Sequence, residues 1–94
     1  MKAGYVYILT NKPNGTLYIG VTSNLKKRIW EHRNKVVEGF SEKCDLNRLV
    51  WYEVYEDISE AILQEKRMKK WERSWKLKRI HEMNPDWDDL YDKL

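Results

Sequence analysis

Tyr, Val, Tyr, Ile and Leu follow one another from Tyr5 to Thr10, and a second apolar stretch returns from Thr16 to Val21 after five intervening residues. Both stretches are rich in β-branched and aromatic side chains, which suit a pleated, packed surface. Between them, Asn11-Lys12-Pro13-Asn14-Gly15 is turn chemistry, because proline presets φ and Asn-Gly accepts positive φ. The pattern predicts a hairpin over residues 5–21. Beyond it the period lengthens. Leu25, Arg28, Ile29, His32 and Val36 fall at i, i+3, i+4, i+7 and i+11, one stripe of a helix. Ser23 or Asn24 is placed to cap that helix, which should run to about Val37 before Gly39 breaks it.

Leu49-Val50-Trp51-Tyr52-Glu53-Val54-Tyr55-Glu56 reads as a third strand, the partner a two-stranded ribbon needs to become a stable sheet. Asp57 or Ser59 starts a second helix that extends to about Glu72, with Ala61, Ile62, Met68 and Trp71 as its apolar stripe. Ser74 starts a third that stops near Met83, since the residue before Pro85 avoids the helical region. Trp87 to Leu94 fits a final helical turn. The order ββαβαα predicts an α+β domain, a small three-stranded antiparallel sheet flanked by helices. Ninety-four residues make one domain, 1–94.

Three positions sit oddly in this pattern. Arg28 and His32 lie on the stripe that should face the sheet, and Glu65 lies in the middle of the second helix's apolar stripe. Burying an unpaired carboxylate is very costly, so Glu65 needs a cation or a basic partner. An ion pair between Arg28 and Glu65, joining two helices, is one structural answer. Taken singly, His32 reads as a half-buried spacer, and strand tyrosines as packing residues. Tyr5 and Tyr7 share a strand face, so periodicity does not choose between them.

The net charge of +3 hides an alternation: residues 1–37 carry +6, 38–65 carry −6, 66–81 carry +7 and 82–94 carry −4. Two basic blocks could fold onto one face and meet a polyanion, or they could neutralise the acidic ones. From Lys66 to Arg79, eight of fourteen residues are basic, with Trp71 and Trp75 interleaved. Lys69, Lys70, Arg73 and Lys76 are the candidates there for phosphate contacts, beside tryptophans that could stack on bases. An amphipathic helix pair with both tryptophans in the core accounts for the indoles better. A single cysteine, Cys44, permits no internal disulfide and fits a reducing compartment. No apolar run has the length of a signal peptide or a membrane span, so a cytoplasmic protein is expected. Zinc-ligand spacing, a Gly-rich phosphate loop and a Ser-His-Asp arrangement are all missing, and His81 reads as a surface helix residue.

Tyr5-Val6-Tyr7 and Tyr18-Ile19-Gly20 flank the turn, and Arg28 follows Tyr18 by ten positions, with His32 one helical turn on. Together with Glu65 in Gln64-Glu65-Lys66 and Asn84 in Asn84-Pro85-Asp86-Trp87, this spacing resembles the GIY-YIG nuclease family, in its subgroup of small stand-alone domains. The first triplet departs from the family pattern, reading Tyr-Val-Tyr instead of Gly-Ile-Tyr. The resemblance implies metal-dependent, endonuclease-type hydrolysis of phosphodiester bonds in DNA, with structure-selective repair or processing as a candidate setting and RNA open as a substrate. It implies one divalent ion, Mg²⁺ or Mn²⁺, on Glu65; an open site of one carboxylate plus waters and phosphate oxygens suits such ions. Arg28 offers the phosphate a planar fork of permanent charge. Tyr7 becomes the general base, with Tyr18 and His32 hydrogen-bonding the water or the phosphate. Asn84 matches a late asparagine near the site in some members, although a turn before Pro85 explains it equally well. A phenol ordinarily titrates near 10, so a tyrosine base next to cations should have a lowered pKa and an activity rising with pH. The alternative reading is a catalytically weak or inactive nucleic-acid-binding module that keeps the fold; a third is a small adaptor working through protein contacts, although no protein partner can be inferred. A binding module has no need of Glu65 on an apolar face.

Overall fold

The computed structural model of the chain describes residues 2–34 and 46–94. Gly4–Thr10 forms strand β1, with β2 (Leu17–Thr22) on one side and β3 (Arg48–Tyr55) on the other, both antiparallel to it. Of the β1 residues only Tyr5 is not fully buried. A middle strand covered on both faces needs apolar side chains on both, and the near-continuous run in the sequence reflects this. At the hairpin, Asn14 takes a positive φ of 60°, Gly15 N–H donates to Lys12 O at 2.9 Å, and Thr16 N–H donates to Asn11 Oδ1 at 3.1 Å.

The sheet is a filling between two layers. On one face, Val6, Ile8 and Ile19 pack with Ala61 and Met68 of α2 (Ile58–Lys69) and Ile80 of α3 (Arg73–Met83). On the other, Tyr7 and Leu9 pack with Leu25 and Ile29 of α1 (Leu25–Arg33) and with Leu90 of a closing 3-10 turn, Leu90–Lys93. α2 lies close on β1 because residue 4 is glycine: a Cβ there would stand 2.8 Å from Ala61 Cβ and from Ile58 Cα. The result is the expected α+β architecture, a three-stranded antiparallel sheet with three α-helices among the described residues.

Strand β3 carries a bulge. Ile8 pairs with Trp51 but Leu9 pairs with Leu49, so Val50 is the extra residue. Val50 and Trp51, though consecutive, consequently both join the core facing α2 and α3. The C-terminal segment satisfies the backbone at this irregularity. Asn84 Nδ2 donates to Val50 O at 3.2 Å, and Leu49 N–H donates to Asp89 Oδ1 at 3.2 Å. Asn84 also receives Asp88 N–H at 3.0 Å and donates to Asp88 O at 2.8 Å, closing the turn after α3.

Several element ends differ from expectation. α1 closes at Asn34, whose Nδ2 donates to Trp30 O; Val36, Val37 and Gly39, like Cys44, lie outside the described residues. α2 stops at Lys69, not Glu72, and Lys70 and Trp71 donate back to Arg67 O and Met68 O while Trp71 folds onto the core. α3 begins at Arg73 with Glu72 as its cap, not at Ser74, because Arg73 Nη2 is held by the Asn14 and Gly15 carbonyls of the hairpin turn. In α2 the inward residues are Ala61, Glu65 and Met68; Ile62 is 38% exposed and not part of the stripe. The expected last helical turn is confined to Leu90–Lys93, since buried Trp87 takes a positive φ of 57°, a backbone state no helix uses.

Asn84→Ala should lower stability by about 1–3 kcal/mol, the scale of leaving a buried carbonyl unpaired. A urea titration checks this, and an unchanged midpoint would remove the bulge-stitching role.

Candidate active site

Tyr7 sits opposite Gly20 in the β1–β2 ladder, and Tyr18 is two residues along the same face. The Tyr7 ring does not stand straight up from the strand. It leans over Gly20, where any Cβ would collide with the phenol oxygen and ring carbons. Tyr7 is thereby buried, while Tyr5, on the same face of β1, is only half-buried. Burial thus distinguishes two tyrosines that periodicity leaves equivalent.

α1 begins two residues after β2. Thr22 Oγ1 accepts from Asn24 N–H at 3.1 Å, and Asn24 Oδ1 accepts from Lys27 N–H at 3.2 Å as the helix cap. This tight start lays α1 back across the tyrosines. His32 Nε2 lies 3.2 Å from the Tyr7 phenol oxygen. The rings of Tyr7, Tyr18 and His32 form a triangle, with centroids 6.5 Å (Tyr7–Tyr18), 6.0 Å (Tyr7–His32) and 5.7 Å (Tyr18–His32) apart. One turn earlier, the Arg28 charge bears on the Tyr7 phenol, and its Nε, 3.4 Å from Glu31, is buried with no hydrogen-bond partner among the described residues.

Burial pushes the Tyr7 phenol well above the usual tyrosine range; nearby Tyr18 adds to the rise, Arg28 opposes it, and Glu65 adds a smaller upward push. The expected lowering by cations is thus overturned for the protein alone, because desolvation outweighs Arg28. His32 moves the other way. Burial and the Arg28 charge hold its imidazole below the usual histidine value, against an upward pull from Glu31. Both rings are therefore neutral at pH 7.

Glu65 is 9% exposed, on the α2 face that meets the sheet. Its carboxylate pairs with Lys69 Nζ at 3.0 Å, one turn on, while Arg28 faces Glu31. The Arg28–Glu65 ion pair is not formed among the described residues, since each group has a nearer partner on its own helix. No group of three or more His, Cys, Asp or Glu that could hold a metal occurs among the described residues. A single near-buried carboxylate whose charge reaches the Tyr7 phenol nevertheless fits Mg²⁺ or Mn²⁺, hard cations that keep several waters and take phosphate oxygens.

The remaining sequence candidates are placed elsewhere. Lys69 is engaged with Glu65, and Arg73 with the hairpin carbonyls. Lys70 is exposed and Lys76 half-buried. The polar atoms of Asn84 are taken by Val50 and Asp88. Sequence reasoning overlooked the part of Gly20. Its only signal was a glycine in the strand that faces Tyr7.

The Tyr7 phenol and the His32 imidazole are thus buried together under α1 with the partly exposed Arg28 beside them, and the Glu65 carboxylate bears on the charge of the phenol. The chain belongs to the GIY-YIG catalytic domain family, whose model matches residues 3–78, and this is a family of nucleases. It is similar to a UPF0213 protein of Clostridium perfringens, 40% identical over 76 residues, covering 81% of each chain. A UPF0213 protein of Staphylococcus saprophyticus is 34% identical over 82 residues, 87% of this chain and 99% of that one. A third, from Syntrophus aciditrophicus, is 34% identical over 87 residues, 92% of this chain and 98% of that one. No solved structure matches the chain significantly. No helix among the described residues is long and apolar enough to cross a membrane.

Tyr7 and His32 make stability depend on pH in opposite directions. Unfolded tyrosine releases its proton near 10.0 while folded Tyr7 keeps it, so stability is lost as pH rises above that value. Unfolded histidine binds a proton below 6.5 while folded His32 resists it, so stability is also lost as pH falls through 6.5. Urea melts from acid to alkaline pH should show both limbs. Tyr7→Phe should shrink the alkaline limb and leave the acid one, the alkaline remainder coming from Tyr55, whose phenol burial pushes up to about 12. An alkaline limb of unchanged size would refute the burial of the Tyr7 phenol.

Proposed function

We propose that the domain is a divalent-metal-assisted endonuclease that hydrolyses phosphodiester bonds in DNA. One observation carries the reading: the Tyr7 phenol is buried within hydrogen-bond distance of His32, where Arg28, Tyr18 and Glu65 all bear on its charge. A tyrosine that served only packing would not need this surrounding.

Hydrolysis requires the attacking water to lose a proton. Tyr7 is a phenol at neutral pH, so it acts by exchange: it takes the water's proton as its own passes to His32 Nε2, 3.2 Å away. The neutral His32 tautomer with its proton on Nδ1 is the acceptor in that step, and the phenol O–H donates to it. Arg28 holds the non-bridging phosphate oxygens, where a planar guanidinium gives paired hydrogen bonds and fixed charge. Tyr18, on the same sheet face, hydrogen-bonds the water or the phosphate. Glu65 would hold the divalent ion, which when bound supplies positive charge to the phosphate and the leaving 3′-oxygen. Lys69 keeps that carboxylate neutralised until then. Lys70 and Lys76, with Lys69 and Arg73 where they are released from their partners, contribute phosphate contacts along the strand.

The second reading, a nucleic-acid-binding module that does not cut, draws on the raised Tyr7 pKa, which removes a ready-made base. Cleavage of labelled single-stranded, duplex and branched DNA, with Mg²⁺, Mn²⁺ or chelator, separates the two. Absent or chelator-insensitive cutting on every substrate favours the binding module.

Arg28→Ala should lose roughly 10²–10³-fold in cleavage rate, the scale of removing one preorganised charge-stabilising group. Arg28→Lys should recover only part, and a folded Arg28→Ala cutting at the wild-type rate would eliminate the clamp. Glu65→Gln should abolish metal-dependent cleavage and the thermal shift on adding Mg²⁺ or Mn²⁺. Without added metal its stability should stay within about 1 kcal/mol of wild type, because the partner it loses is the half-exposed Lys69. A wild type with no metal-dependent thermal shift would count against Glu65 as the ligand.

A further inference from the structure

α3 presents two stripes. Lys76, Leu77 and Ile80 turn toward the sheet, with Ile80 buried and Leu77 against the core. Trp75, Lys78, Arg79 and Glu82 recur at i, i+3, i+4 and i+7 and form a second, exposed stripe. Trp71, from the connection between α2 and α3, stands at its end. Together these five side chains line an open groove of about 440 Å³.

The two tryptophans differ. Trp71 is half-buried against the core, so packing explains it. Trp75 is 58% exposed, and the expectation that both indoles belong to the core fails for it. Its ring meets Trp71 edge to face, with centroids 6.0 Å apart at 68°, and the Arg79 guanidinium lies 5.4 Å from the centre of the Trp71 ring. The Trp75 indole therefore rests against Trp71, which Arg79 contacts in turn, while most of its own surface remains in water.

Three features of this groove converge on one occupant. An exposed indole offers a flat π-face, and every nucleobase has one to stack on it. Lys78 and Arg79 belong to the segment 66–81 of net charge +7, which draws a polyanion. Glu82 sets a carboxylate among these cations, which disfavours a bare anion but accepts hydrogen bonds from base N–H groups. In a duplex the base faces are stacked and those edges paired, so the fit is to an unpaired strand.

We propose that this outer stripe of α3 is a docking surface for unpaired DNA, with one base stacked on Trp75 and the neighbouring phosphates held by Lys78 and Arg79. The proposal rests on the domain acting on DNA, and it makes the substrate a DNA with a single-stranded segment in place of uninterrupted duplex.

Fluorescence anisotropy in EDTA, where cleavage does not enter, tests the groove with a labelled oligothymidylate, a blunt duplex and a duplex bearing a single-stranded tail. The wild type should prefer the single strand and the tailed duplex. Trp75→Ala should weaken both roughly 5- to 150-fold, the range for losing one stacked base, while blunt-duplex binding holds within about twofold. Trp75→Phe keeps a π-face and should recover most of the loss. Unchanged single-strand affinity in Trp75→Ala overturns the proposal, and so does an equal loss on blunt duplex. A wild-type dimer that Trp75→Ala dissociates also overturns it, assigning the stripe to a second copy of the chain. The two proposals fail separately. A wild type that binds through Trp75 yet cuts no DNA supports the groove and ends the nuclease reading; one that cuts DNA while Trp75→Ala binds as tightly as wild type overturns the groove alone.

Discussion

The Tyr7 ring occupies space that only a glycine at position 20 leaves open. β1 is the middle strand and is covered on both faces, so the large ring of Tyr7 finds room only sideways, across a neighbouring strand. Gly20 leaves that room. The phenol oxygen then arrives under α1, and the tight Thr22–Asn24 start of this helix brings Arg28 and His32 over it, one turn apart. A bulkier residue at 20 would push the ring out, and with it the contact to His32 and the proximity to the Arg28 charge.

Such burial costs stability and sharpens electrostatics together. The phenol and the imidazole are held in their neutral forms because charge is disfavoured where water is displaced. The same low-dielectric surroundings strengthen every remaining charge, Arg28 and Glu65 above all. Lys69 answers the Glu65 carboxylate from a half-exposed position. An exposed cation of this kind balances the charge without locking it, and it leaves the carboxylate able to exchange partners.

The opposite layer holds the sheet in place. α2 presses on β1 at Gly4, and Arg73 ties the start of α3 to the hairpin turn. The C-terminal segment covers the outer edge of β3, where the bulge at Val50 leaves backbone groups without ladder partners. Asp89 extends the tie to α1 through Arg33, which also lies over the Tyr91 ring. Asn84 therefore belongs to this clasp. Its spacing in the chain suggested chemistry, but spacing carried no information about the bulged carbonyl that it meets.

Local order was legible in the chain itself. Alternation and turn residues set out the hairpin and the third strand, and helical spacing put Arg28, His32 and Glu65 on inward faces, as the structure has them to differing depths. These are short-range properties, because backbone geometry alone decides which residues share a face. Other features depended on residues distant in sequence: the order β2-β1-β3, the burial of Tyr7 over Tyr5, Lys69 and not Arg28 as the partner of Glu65, and the upward direction of the Tyr7 pKa. α3 makes the distinction plainest. Its sequence offers two stripes at the same spacing, one through Ile80 and one through Trp75, and only contact with the sheet decides which is buried. Periodicity specifies a face; burial, dielectric and charge pairing are sums over neighbours that only the packed fold brings together.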